Sequence, residues 1–75
     1  MTEADWSERA KRLLKAELAR ADLTYEDLAA RLAEVGMVET KASIASKLSR
    51  GTFSASFLLA ALRVAGCVTV RLEDV

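Results

Sequence analysis

The sequence predicts an all-α fold: four helices in a helix-turn-helix arrangement, closed by a short C-terminal β-strand. Three observations predict it. The chain has no proline and is 52% hydrophobic, with many alanines, the strongest helix formers. Its glycines, Gly36, Gly51 and Gly66, each follow a stretch of apolar residues at helical spacing, where a helix closes on a residue with positive φ. After Gly66 the apolar spacing changes from helical to alternating.

The first helix is predicted over 5–21, with Asp5 as cap and Glu8 three residues later as its box partner. Trp6, Ala10, Leu13, Leu14, Leu18 and Ala21 form its apolar face. No glycine ends it, and it stops near Ala21 or Asp22. The second helix spans 24–35. Thr24 caps it, Asp27 sits in the box position, and Leu23 and Leu28 staple across the cap. Its inner face is Leu28, Ala29, Leu32 and Val35. The third, 40–50, is capped by Thr40, turns Ile44, Ala45 and Leu48 inward and leaves Lys41, Ser43, Ser46, Lys47 and Arg50 outside. The fourth, 54–65, is capped by Ser54 with a Phe53–Leu58 staple and carries Phe57, Leu58, Ala61, Leu62 and Ala65. Trp6, Phe53 and Phe57 read as core and staple rather than as base-stacking residues.

Residues 67–72 read as a strand, because Val68, Val70 and Leu72 alternate with Thr69 and Arg71. A strand needs a partner for its backbone groups. The chain offers no second strand, so the expected partner is the same segment of another copy, pairing about a two-fold axis; the alternative is an extended tail packed on the helices. Val68, Val70 and Leu72 are therefore the expected dimerisation residues. A chain of 75 residues makes a single domain, 1–75, and one this small gains from burial against a second copy.

Charge is unevenly placed. The 11 basic and 11 acidic side chains cancel, yet no acidic residue occurs between Thr40 and Leu72. An acid-free basic segment is where a phosphate backbone is met. There is no histidine, and the single cysteine, Cys67, has no partner for a disulfide or a metal site. Neither a nucleophile–base pair nor a glycine-rich phosphate loop is present. These features predict a non-enzyme with no cofactor, no metal and no small-molecule ligand. The polar, acidic N-terminus does not fit a signal peptide, no apolar run has the length of a membrane span, and the lone thiol fits a reducing cytoplasm.

The second and third helices carry the functional expectation. In such a pair the second member lies in the major groove, and residues near its N-terminus reach base edges. Short polar side chains and cations suit that face. The third helix supplies Lys41, Ser43, Ser46, Lys47 and Arg50 without a carboxylate.

Thr24-Tyr25-Glu26-Asp27-Leu28-Ala29 resembles the opening of the second helix in the Cro- and lambda-repressor-like helix-turn-helix family. Ala42-Ser43-Ile44 and Leu48-Ser49-Arg50-Gly51 are similar to that family's recognition helix and its closing Arg-Gly. Leu58-Leu59-Ala60-Ala61-Leu62 ahead of Gly66 matches its next helix. The likeness covers residues 10–66. The stretch from Lys47 to Phe53 also resembles the Lys-Leu-x-Arg-Gly-x-Phe signature of an uncharacterised bacterial domain family. The repressor resemblance implies DNA contacts from Lys41, Ser43, Ser46, Lys47 and Arg50. Tyr25 stands where that family has a phosphate-touching glutamine. The distance from Ala29 to Ile44 exceeds the family's, so either the turn is longer or the second helix gains a turn.

The expected function is sequence-specific binding of double-stranded DNA by a homodimeric transcriptional regulator, with helix 40–50 as recognition helix. The alternative is a protein–protein interaction module on the same fold, since fold does not fix function and Glu26 and Asp27 would repel phosphate at the start of the second helix.

Overall fold

One hydroxyl starts each of the four helices. In the computed structural model, which describes all residues from Met1 to Val75, α1 spans Glu3–Arg20, α2 Tyr25–Glu34, α3 Lys41–Arg50 and α4 Ala55–Val64. Thr2, Thr24, Thr40 and Ser54 are their caps. Each side-chain oxygen accepts from the backbone N–H three residues on, that of Asp5, Asp27, Ser43 and Phe57 respectively. Such a cap satisfies a donor the helix cannot and stabilises it by about 1 kcal/mol. In the first three the box is reciprocal, Asp5, Asp27 and Ser43 accepting from the cap residue's own N–H. The α1 start corrects the sequence reading: Asp5 is the box partner of Thr2, and the cap lies three residues earlier than expected.

Three helices also end alike. The N–H groups of Leu23, Met37 and Cys67 donate to the carbonyls of Leu18, Leu32 and Leu62, each at 3.0 Å. One residue earlier, Asp22, Gly36 and Gly66 donate to Ala19, Ala33 and Arg63. All three lie at positive φ, at 56°, 85° and 87°. This double closure satisfies orphan carbonyls and returns an apolar residue to the helix it has just left. Leu23, Met37 and Cys67 accordingly pack against the core. The end of α1, which has no glycine, uses Asp22, a residue type that tolerates the left-handed region.

The core is one cluster built from a repeated unit. Each helix contributes a pair at i and i+4: Leu14 and Leu18, Leu28 and Leu32, Ile44 and Leu48, Phe57 and Ala61, with Leu62 beside the last. That spacing aligns both side chains on one face. α2 packs against α3 and α4, and α1 packs against α4. Phe53 adds its ring to Phe57, with centroids 5.5 Å apart and planes tilted by 55°, a favourable aromatic geometry. No helix is long and apolar enough to cross a membrane.

Two expected core residues lie outside. Trp6 is 58% exposed, at the edge of the cleft lined by Gly51, Phe53 and Leu58; the Arg9 guanidinium lies 5.4 Å from its ring centroid. Val35 is 57% exposed, since α2 stops at Glu34 and Met37 takes the inward position. The longer Ala29–Ile44 spacing goes into the turn, the six residues Val35–Thr40 between α2 and α3.

The C-terminal strand is absent. Residues 67–70 have no regular structure, and Leu72–Asp74 form a single 3₁₀ turn. Alternation alone does not make a strand: nothing in the chain pairs with this segment, and no backbone N–H of residues 68–70 donates to a backbone carbonyl. The tail turns back on α1, where Arg9 Nη1 donates to the Val75 carbonyl. Val68 and Leu72 stay exposed and Val70 is partly covered. Pairing of copies through a strand of Val68, Val70 and Leu72 is therefore set aside.

Gly36 isolates the backbone requirement of these closures, because a Cβ there meets no atom within 4 Å. Gly36→Ala is expected to cost about 1 kcal/mol, the penalty of left-handed φ for an L-residue. A urea denaturation midpoint shifted down at unchanged m-value is the expected result; an unchanged midpoint contradicts this description of the turn.

Candidate nucleic-acid interface

The buried pair Ile44 and Leu48 sets the rotation of α3. At about 100° per residue, Ala42, Ser46, Ser49 and Arg50 then point away from the core, and all four are exposed. Lys41 is exposed in the first turn. The outward stripe is thus short and polar, with Arg50 at its C-terminal end, while Lys41, on the side of the helix that carries Ile44, is exposed beside α2. Ala42 and Ser49 belong to it as well: Ala42 carries no polar group that would mark it in the sequence, and the outward direction of Ser49 follows only from the rotation of the helix.

Ser43, Lys47 and Arg50 run down one flank at i, i+4 and i+7. Only Arg50 is free. Lys47 Nζ lies 2.8 Å and 3.1 Å from the two carboxylate oxygens of Glu39, and Ser43 Oγ donates to Glu39 Oε1 at 2.6 Å. The ammonium also sits 5.4 Å from the centroid of the Phe57 ring, within cation–π range. The Lys47 side chain is 27% exposed and that of Glu39 only 11%. Glu39 lies in the α2–α3 turn, and sequence reading passed over it. Its reach to i+4 and i+8 depends on the irregular turn aiming its side chain back along α3, which residue types and spacing do not fix.

Glu39 feels opposing influences. Burial pushes its carboxyl up, while the hydrogen bonds from Lys47 and Ser43 and the charge of Lys47 pull it down; the net result lies below the usual carboxylate range. At neutral pH it is ionised and Lys47 is neutralised.

Lys41 is held far more loosely. Its ammonium lies 3.4 Å from Glu26, with both side chains largely exposed, an arrangement that contributes little. The contact shows that the first turns of α2 and α3 lie side by side. Tyr25, the first residue of α2, is half-buried and packs against the edge of the core, which leaves less of it for a ligand than the glutamine comparison implies. Asp27 is held ionised chiefly by the Thr24 backbone N–H, then by its hydroxyl. Beside α3, the turn exposes Val35 and, almost fully, Val38.

Of the residues singled out in sequence, Lys41, Ser46 and Arg50 are thus presented to solvent, Ser43 and Lys47 are turned into the Glu39 network, and Tyr25 lies at the margin. No group of His, Cys, Asp and Glu gathers as a metal site. A cleft of about 510 Å³ between α1 and the tail, edged by Arg9, Arg12, Arg20 and Arg71, includes no α3 residue.

A carboxyl whose folded pKa is lowered contributes stability that is complete above its unfolded value and is lost as pH falls through the folded one. Glu39 has a reference value of 4.5, so its contribution disappears below that pH. In urea unfolding followed on acidification, Glu39→Gln is expected to start less stable at neutral pH and to decline less steeply in acid. Parallel curves for the two proteins would show that the network contributes nothing.

No curated protein and no solved structure matches the chain. A family model matches residues 6–70, a span that contains all four helix cores, the Glu39 network and the outward stripe of α3. The chain belongs to that family, described as a domain of unknown function, DUF6471.

Proposed function

We propose that this protein binds double-stranded DNA sequence-specifically, as a transcriptional regulator that lays α3 in the major groove. The observation that carries the reading is the outward face of α3, Ala42, Ser46, Ser49 and Arg50, exposed and without a carboxylate, with Lys41 exposed at the first turn beside it. Alanine and serine keep the face low enough for close approach to base edges, serine can donate to or accept from them, and the flanking cations suit phosphate. The helix order and the likeness of residues 10–66 to the Cro- and lambda-repressor-like family support it. Arg50 and Lys41 are assigned to phosphates, Ser46, Ala42 and Ser49 to base edges, and Tyr25 to the margin of the contact. Nothing in this mechanism calls for catalysis or a cofactor. A single free thiol, Cys67, suits a cytoplasmic setting.

One α3 spans one half-site, and specific recognition by such small domains uses two, about 34 Å apart. The second copy is assigned to the apolar surface of α4 and the tail, where Leu59 and Val68 are 67% and 95% exposed. A different observation favours protein recognition instead: Val35 and Val38, exposed beside α3, give its approach an apolar edge that DNA contact does not require.

Fluorescence anisotropy with the chain's own upstream DNA and a scrambled duplex, at 50 and 200 mM salt, tests the reading. Tighter binding to the upstream DNA, weakening steeply with salt, is expected. Arg50→Ala and Lys41→Ala should each reduce the slope of log K against log salt by about 1. Absence of binding at low salt defeats the proposal and turns attention to the Val35–Val38 edge. In sedimentation, Leu59→Glu with Val68→Glu should shift a dimer to monomer; a wild-type protein that stays monomeric on DNA rules out the assigned pairing surface.

A further inference from the structure

We infer that Glu39 is a positioning residue that withholds Lys47 from the DNA backbone and thereby sets the affinity and salt dependence of the interface. The inference rests on the DNA-binding reading and concerns the regulation of that same site. Lys47 is the central cation of the Ser43–Lys47–Arg50 flank, one residue from Ser46 in the outward stripe, so its four-carbon stem can carry the ammonium toward a phosphate beside α3. Three contacts hold it back. Both carboxylate oxygens of Glu39 engage the ammonium at 2.8 and 3.1 Å, the Phe57 ring faces it at 5.4 Å, and Ser43 holds the carboxylate in place through Oε1 at 2.6 Å. With Glu39 mostly buried, the pair is screened less by salt than the exposed Lys41–Glu26 pair.

A DNA phosphate competing for Lys47 would have to leave the Glu39 carboxylate charged, largely buried and short of a partner, which is costly. The flank therefore meets DNA as a carboxylate-neutralised surface with Arg50 as its single free cation. Weak phosphate attraction is the expected consequence, so base contacts from the stripe decide more of the affinity. That agrees with a chain of zero net charge, since sequence-independent binding scales with the number of phosphates neutralised.

A double-mutant cycle reads this directly. Wild type, Glu39→Gln, Lys47→Met and the double variant are titrated with the same duplex between 50 and 200 mM salt. Glutamine retains the shape of Glu39, and methionine retains the packing of the Lys47 stem. Lys47→Met alone is expected to leave the salt slope unchanged. Glu39→Gln is expected to bind more tightly and to steepen the slope by about 0.9, so that its advantage over wild type shrinks about 3.5-fold across that salt range. In the double variant the extra slope should vanish, which separates release of Lys47 from a general gain of positive charge. A purely structural role for Glu39 moves stability and leaves slopes alone.

A second readout needs no DNA. Lys47 should react slowly with an amine-acetylating reagent in the wild type and faster in Glu39→Gln, with the exposed Lys15 as internal reference. Equal slopes for wild type and Glu39→Gln, or a slope lowered by Lys47→Met alone, overturn the inference while the DNA reading stands. If neither protein binds the duplex, both fall; a Lys47 that still reacts slowly then shows that the ion pair exists but guards something other than a DNA contact.

Discussion

The rotation of α3 about its own axis is fixed by two side chains, Ile44 and Leu48, that expose no surface at all. Everything proposed for the interface depends on that constraint. Turning the helix by one residue would bring Ala45 inward and swing Lys47 away from both Glu39 and Phe57. Burying Ile44 and Leu48 against the pairs supplied by α2 and α4 directs the Ala42–Ser46–Ser49 stripe outward and brings the Ser43–Lys47 flank alongside the α2–α3 turn. Phe57 joins the two sides: its ring fills the core and lies under the ammonium that Glu39 holds.

The small core raises the importance of the helix ends. Nine apolar side chains form the buried cluster, and α2, α3 and α4 have only 10 residues each, so their unpaired backbone groups are a large share of their length. The chain answers with a hydroxyl cap at every start and with the same double closure at three of four ends. Those closures do more than satisfy carbonyls. By returning Leu23, Met37 and Cys67 to the core they fix the direction in which each connection leaves, and the six-residue turn that carries Glu39 is one of those connections. Core packing and site geometry are therefore coupled through Met37.

Local chemistry was legible in the sequence, and nonlocal chemistry was not. Thr24, Thr40 and Ser54 were recognisable as caps, and Gly36, Gly51 and Gly66 as helix ends, because each acts within five residues. Thr2 follows the same rule, but Asp5 and Glu8 offered an equally spaced pair that drew the start of α1 inward. The strand at 67–72 failed for a different reason: alternation describes which side chains agree, and whether a strand forms depends on a partner the chain lacks. Within the candidate interface, the extent of α3 and the exposure of Lys41 and Arg50 were legible. The sequence did not reveal that Lys47 and Ser43 are engaged by Glu39, because that contact depends on how the irregular turn aims the Glu39 side chain back along α3. Val35 was placed inward by extending the α2 period one residue past its cap.

The most direct test of the account is residue-resolved. Backbone amide shifts of the labelled protein, followed by NMR as a short mixed-sequence duplex is added at low salt, report which surface meets DNA. The account predicts perturbations concentrated at Lys41, Ala42, Ser46, Ser49 and Arg50, with α4 and the tail little changed apart from any pairing of copies. Perturbations spread evenly over the protein, or centred on the arginines between α1 and the tail with α3 unmoved, would contradict it.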